Sequence, residues 1–101
     1  MAGMLTLKFA GRIWYWRGPS PWYFVTVPRK HSLALRAMSS VLTYGWGVIP
    51  VTARIGTTAW TTSLFPRDGL YAVPLRSDVR KVEGLDEGDR IRVELVTGEP
   101  R

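Results

Sequence analysis

The sequence has no cysteine, a single histidine and, over its first 67 residues, no acidic side chain. Each shortage removes a class of chemistry. Without cysteine there is no disulfide framework, thiolate metal site or cysteine nucleophile. With His31 as the sole imidazole, a metal centre is left with an all-oxygen cluster, and the carboxylates show no calcium-loop spacing. No metal and no cofactor is therefore expected. Gly45, Gly47 and Gly56 precede β-patterned residues instead of opening a helix, so the chain lacks a phosphate-cradling glycine motif. No apolar run approaches the ~18 residues of a membrane span, and no charged segment leads into an apolar signal core, which makes cytoplasmic residence the default expectation. Internal repeats and low-complexity stretches are also missing, excluding solenoids, propellers and linker arrays.

What is present reads as one small β-rich domain over residues 1–101, with an ordered core expected at about 4–97. Hydrophobic residues make up 46% of the chain and charged residues 22%, a globular balance, so the chain is expected to fold alone. Leu5, Leu7, Phe9, Ile13 and Tyr15 occupy alternate positions against Thr6, Lys8 and Arg12, the period of a strand. Trp14 and Trp16 fall on its polar face, which predicts either exposed indoles or a bulge at Gly11 that shifts the register. After the turn at Gly18–Pro21, Trp22–Val27 is apolar on both faces and predicts a strand covered on both sides. Pro28 opens a helix predicted over 29–42, with Ala34, Ala37, Met38 and Val41 as its apolar stripe and Gly45 as its stop.

Ile49–Ile55 and the run holding Trp60, Thr62 and Leu64 flank Gly56-Thr57 as a hairpin. Pro66, Asp68 and Gly69 form the next turn before a strand over Leu70–Leu75, where Pro74 suggests an edge or a strand end. Ser77 is placed as the N-cap of a two-turn helix that stops at Gly84, and Ile91, Val93 and Leu95 alternate in a last strand. Six strands and two short helices in so few residues are best accommodated by closing the sheet, which removes its edges. The predicted fold is thus mainly β, a small closed barrel capped by two helices.

The net charge is +6, divided into +8 over residues 1–67 and −2 over residues 68–101. Solubility alone accounts for such a charge, but a basic field also attracts nucleic acid or an acidic protein or ligand. The segment Arg12-Ile13-Trp14-Tyr15-Trp16-Arg17 interleaves arginine with aromatics, the composition that stacks bases while neutralising phosphates and equally one that packs a core.

Several ordered blocks resemble a known family. They are Pro21-Trp22-Tyr23-Phe24-Val25-Thr26-Val27-Pro28, Gly45-Trp46-Gly47 with Ile49-Pro50-Val51, Thr62-Ser63-Leu64-Phe65-Pro66, Val73-Pro74-Leu75 with Val79-Arg80, and Glu87-Gly88-Asp89. From about Phe9 to Val96 the chain resembles a bacterial and archaeal domain of unknown function often found ahead of a bacteriocin-protection (OmpD-associated) domain. The resemblance implies a double-split β-barrel and no activity, and it carries over no catalytic or ligand-binding residue. Many members have Lys where this chain has Arg76.

The functional expectation is a non-catalytic binding or interaction module, as a monomer or homodimer. Arg54, Arg76 and Arg80 are candidate anion-binding forks, and Trp14, Trp16 and Trp46 candidate stacking faces. Two alternatives stand beside it: a DNA- or RNA-binding protein using the same basic, aromatic surface, and an enzyme acting on a small anionic substrate through His31. No residue is assigned a catalytic role. The carboxylates Asp68, Asp78, Asp86, Glu87 and Asp89 are read as caps of turns and of a helix start.

Overall fold

A computed structural model describes residues 5–38 and 48–97. The chain order is β1 (Thr6–Trp16), β2 (Trp22–Val27), α1 (Arg29–Ala37), β3 (Ile49–Ile55), β4 (Thr58–Arg67), β5 (Leu70–Leu75), α2 (Ser77–Glu83) and β6 (Arg90–Thr97). The six strands close into an antiparallel barrel in the order β1-β2-β5-β4-β3-β6. Two long strands change partner part way along. β1 pairs with β6 from Thr6 to Arg12 and with β2 from Ile13 to Trp16. β4 pairs with β3 as far as Leu64 and with β5 from Phe65 to Arg67. The barrel therefore splits into two sheets that share β1 and β4, as the resemblance implies.

Alternation sets the interior. Leu7, Phe9, Ile13, Val25, Val27, Ile49, Val51, Ala53, Ile55, Leu64, Val73, Leu75, Ile91, Val93 and Leu95 point inward and are buried. Gly11 is not a bulge, because the β1–β6 register runs unbroken across it. It sits just before β1 leaves β6 for β2, and a Cβ there would meet Val25 Cγ2 at 2.9 Å. A larger residue at that point would have to displace the Val25 side chain.

The β3–β4 and β4–β5 turns are two residues long. Asp68 and Gly69 both hold positive φ (52° and 79°), the pattern of a type I′ turn, and Gly56 (φ 60°) leads the β3–β4 turn. Pro66 belongs to β4 and pairs with Tyr71 rather than sitting in the turn. Pro74 lies one residue from the end of β5, opposite Phe24.

The helices sit at opposite ends of the β2–β5 pair. α1 starts where Val27 pairs with Tyr71, and α2 starts where Leu75 pairs with Tyr23. α1 is held by a buried hydroxyl: Ser32 Oγ donates to the Val27 carbonyl (2.9 Å) and accepts from the Tyr71 N–H (3.1 Å). Its buried residues are Ser32 and Leu35, whereas Ala34 and Ala37 of the expected stripe face solvent. Met38 of the stripe packs against the core, and Val41 lies outside the described residues; the pattern missed Ser32 because it makes a polar contact, which an apolar stripe cannot register. Residues 39–42 of the predicted helix, and its stop at Gly45, lie outside the described residues. In α2 the N-cap position is Arg76, not Ser77, and Gly84 ends the helix in the left-handed region (φ 66°). Thr58 Oγ1 donates to Glu83 Oε2 (2.5 Å), tying α2 to the β3–β4 hairpin.

Candidate functional site

Because the odd residues of β1, β6 and β3 fill the core, their even residues form one outer surface. The register places them in rows. Lys8 lies opposite Glu94, and Glu94 opposite Arg54; Ala10 lies opposite Arg92, and Arg12 opposite Arg90. Five cations thus share a face with one carboxylate. Glu94 approaches Arg54 at 3.7 Å, a loose and exposed pair worth little. Lys8, Ala10, Arg54, Arg92 and Glu94 border a shallow depression of about 290 Å³. At the end of the face Arg12 donates from Nη1 to the Gly88 carbonyl (3.1 Å), beside the acidic turn Asp86–Asp89. In that turn Asp89 Oδ2 accepts from the Asp86 N–H and Asp86 Oδ1 from the Glu87 N–H, so these two carboxylates serve the backbone as expected.

The other sheet presents a different outer surface. Trp14 and Trp16 of β1 continue the row of Arg12, and Trp22, Phe24 and Thr26 of β2 lie beside them. The Trp14 and Phe24 rings stack at 5.0 Å and 26°, and the Trp14 indole donates to Thr26 Oγ1 (2.9 Å). Across β5 stand Phe65 and Arg67 of β4, with the Arg67 guanidinium carbon 5.2 Å from the Trp14 ring centre. Between these walls lies Ala72, which points outward yet is only 2% exposed. It is the floor of a slot. Two adjoining depressions of about 360 and 280 Å³ meet at Trp14, Arg67 and Ala72. Trp16, Trp22 and Phe65 are among the exposed large hydrophobics. The outer side of β2 is therefore an aromatic surface, not the fully covered face expected from its composition.

The sequence-derived candidates do not converge on one concavity. Trp14 and Trp16 line the aromatic slot. Arg54 lies on the basic face. Arg76 is engaged locally, donating from Nε and Nη2 to the two Asp78 oxygens (3.2 and 2.9 Å). Arg80 lies at the barrel end with its guanidinium carbon 3.7 Å from the Tyr23 ring centre, and its buried Nε has no partner among the described residues. Trp46 lies outside the described residues. His31 packs near Phe9 (ring centres 6.2 Å apart), and among the described residues it forms no ion pair.

Arg90, Arg92, Phe24 and Phe65 were not among the site candidates read from the sequence. Counting charge along the chain placed the basic surface within residues 1–67, whereas the observed face needs two arginines from β6. The available signal was the alternation Arg90-Ile91-Arg92-Val93, which puts both arginines on one side of a strand. Among the described residues no three histidine, aspartate or glutamate side chains gather to hold a metal ion, and no helix is long and apolar enough to cross a membrane.

No functionally curated protein matches the chain. Its sequence does match the family model DUF1905, described as a domain of unknown function, over residues 9–95, which takes in β2 to β5 whole and most of β1 and β6. The chain belongs to that family.

Proposed function

We propose that this domain is a non-catalytic binding module whose contact surface is the arginine-rich outer face of β1, β6 and β3, and that its ligand is a polyanion. The reading is carried by the cross-strand placement of Arg12 opposite Arg90, flanked by Lys8, Arg54 and Arg92 with only Glu94 among them. Like charges directly opposite in a sheet cost stability, and a ligand with closely spaced negative charges removes that cost on binding. Arginine suits the role because its planar fork pairs with phosphate, sulfate or carboxylate oxygens through two hydrogen bonds.

Fluorescence anisotropy with labelled heparin and with a labelled thymidine oligonucleotide, across a salt series, tests the reading. Both probes are expected to bind at low salt with affinity falling steeply as salt rises. Arg92→Glu should weaken both by at least about tenfold, since one fork is lost and a like charge is placed against the ligand. Absence of binding to either probe at low salt, by wild-type protein, would overturn the proposal.

A further inference from the structure

We infer that the slot above Ala72 is a base-stacking site, which makes the domain's polyanion a single-stranded nucleic acid. The inference rests on the polyanion reading and narrows it.

The slot is built for a flat ring. Its floor is the small side chain of Ala72, buried although it faces outward. One wall is aromatic from β1 and β2 (Trp14, Trp16, Phe24) and the other rises from β4 (Phe65, Pro66, Arg67). Because β2 and β4 are both neighbours of β5, the walls stand two strand spacings apart, about 9–10 Å between backbones. One planar ring held between two others at van der Waals contact needs about 3.5 Å on each side. A neutral sugar can also pack on the aromatic wall, but it brings no negative charge for the arginines beside the slot.

The slot's surroundings choose the rest of the ligand. Arg67 stands over Trp14 where the two depressions meet, in a loose, exposed pair with Asp68 (3.7 Å) that a phosphate can replace. Arg12 lies two residues before Trp14 on the same outer row of β1, so a chain leaving the slot along that strand reaches the basic face after about 7 Å. A polymer that supplies both a ring and a regular negative backbone satisfies the two surfaces together. In a duplex the bases are already stacked and paired, so only a single strand can place one in the slot. A second copy of this chain is a poor occupant, because docking would bring its own basic face towards Arg12 and Arg67.

The test uses the full chain and three probes of one length: a thymidine strand, the same strand made abasic, and the thymidine strand annealed to its complement. The thymidine strand is expected to bind about tenfold tighter than the abasic one and to quench tryptophan fluorescence. Phe65→Ala, an exposed residue whose loss should leave the fold intact, is expected to bring the thymidine affinity down to the abasic level without changing abasic binding. Trp14→Ala should do the same, its fold checked by circular dichroism. Equal affinity for the thymidine and abasic strands, tighter binding of the duplex, or a slot occupied through concentration-dependent dimerisation would overturn the base-stacking site while leaving the polyanion reading in place. Failure of all three probes and of heparin would remove both.

Discussion

The two sheets of this barrel are alike on the inside and unlike on the outside. Behind the basic face lie Leu7, Val51, Ala53, Val93 and Leu95, and behind the aromatic face lie Ile13, Val25, Val27, Val73 and Leu75, all aliphatic and all buried. Outside, one sheet carries like charges in register and the other carries stacked rings over a small-residue floor. The comparison separates two jobs that alternate along each strand. Inward residues hold the barrel closed by burial, while outward residues contribute little to closure and are free to differ. The basic face costs some stability through repulsion. The aromatic face returns some, since the Trp14–Phe24 stack adds about 0.5–1.5 kcal/mol beyond burial.

If the inner faces are equivalent, emptying either should do comparable damage. Leu95→Ala behind the basic face and Leu75→Ala behind the aromatic face each remove a side chain that is almost wholly buried. Each is expected to cost about 2–5 kcal/mol in chemical denaturation, since both lose transfer free energy and leave a cavity. A large gap between the two costs, with one variant near wild type, would break the symmetry and place the core in one sheet.

A smaller asymmetry comes from α1, whose buried hydroxyl binds the β2–β5 pair, while its contact with the other sheet is the packing of His31 near Phe9. Ser32 Oγ bridges the ends of β2 and β5, and Ser32→Ala leaves the buried Tyr71 N–H without an acceptor. The expected cost is about 1–3 kcal/mol. In thermal unfolding of a domain this size that is a fall of roughly 4–8 °C per kcal/mol. Hydrogen exchange should show faster exchange at Tyr71 and the β2–β5 pair than at the β3–β6 pair. Uniform acceleration across both sheets would mean that they open as a single unit.

Much of this was legible in the sequence because a strand writes its inner face as alternation. The inward residues of β1, β3 and β6, the two-residue turn at Gly56-Thr57 and the closure into a barrel all follow from local pattern and chain length, whereas local pattern puts Pro66 in the second turn and it belongs to β4. The outer faces were harder to read, since register is a relation between strands. Nothing local says that Arg12 faces Arg90, or that Phe65 of β4 stands across Ala72 of β5 from Thr26 of β2, one row from the Trp14–Phe24 stack. Charge counted by segment therefore pointed to residues 1–67 and overlooked β6. Gly11 was visible as an irregularity, but a change of strand partner and a bulge leave the same mark on a sequence. Arg76 was a weak candidate on local grounds, with Asp78 two residues away able to occupy its fork.

The smallest effect discriminates best between the two outer faces, because it has the opposite sign from most substitutions. Arg90→Thr removes one member of the Arg12–Arg90 cross-strand pair and puts a β-branched residue at an exposed strand position. Arg12 keeps its hydrogen bond to the Gly88 carbonyl, so no buried group is orphaned. Relief of repulsion should stabilise the fold by about 0.2–1 kcal/mol at low ionic strength. The gain should shrink as salt rises towards physiological levels, where the screening length is about 8 Å. The same variant should bind heparin more weakly. A rise in stability together with a loss of affinity is what a face retained for binding at the expense of folding produces. If Arg90→Thr instead lowers stability at every salt concentration, the two arginines are supporting the sheet, and the basic face loses its claim to differ in kind from the aromatic one.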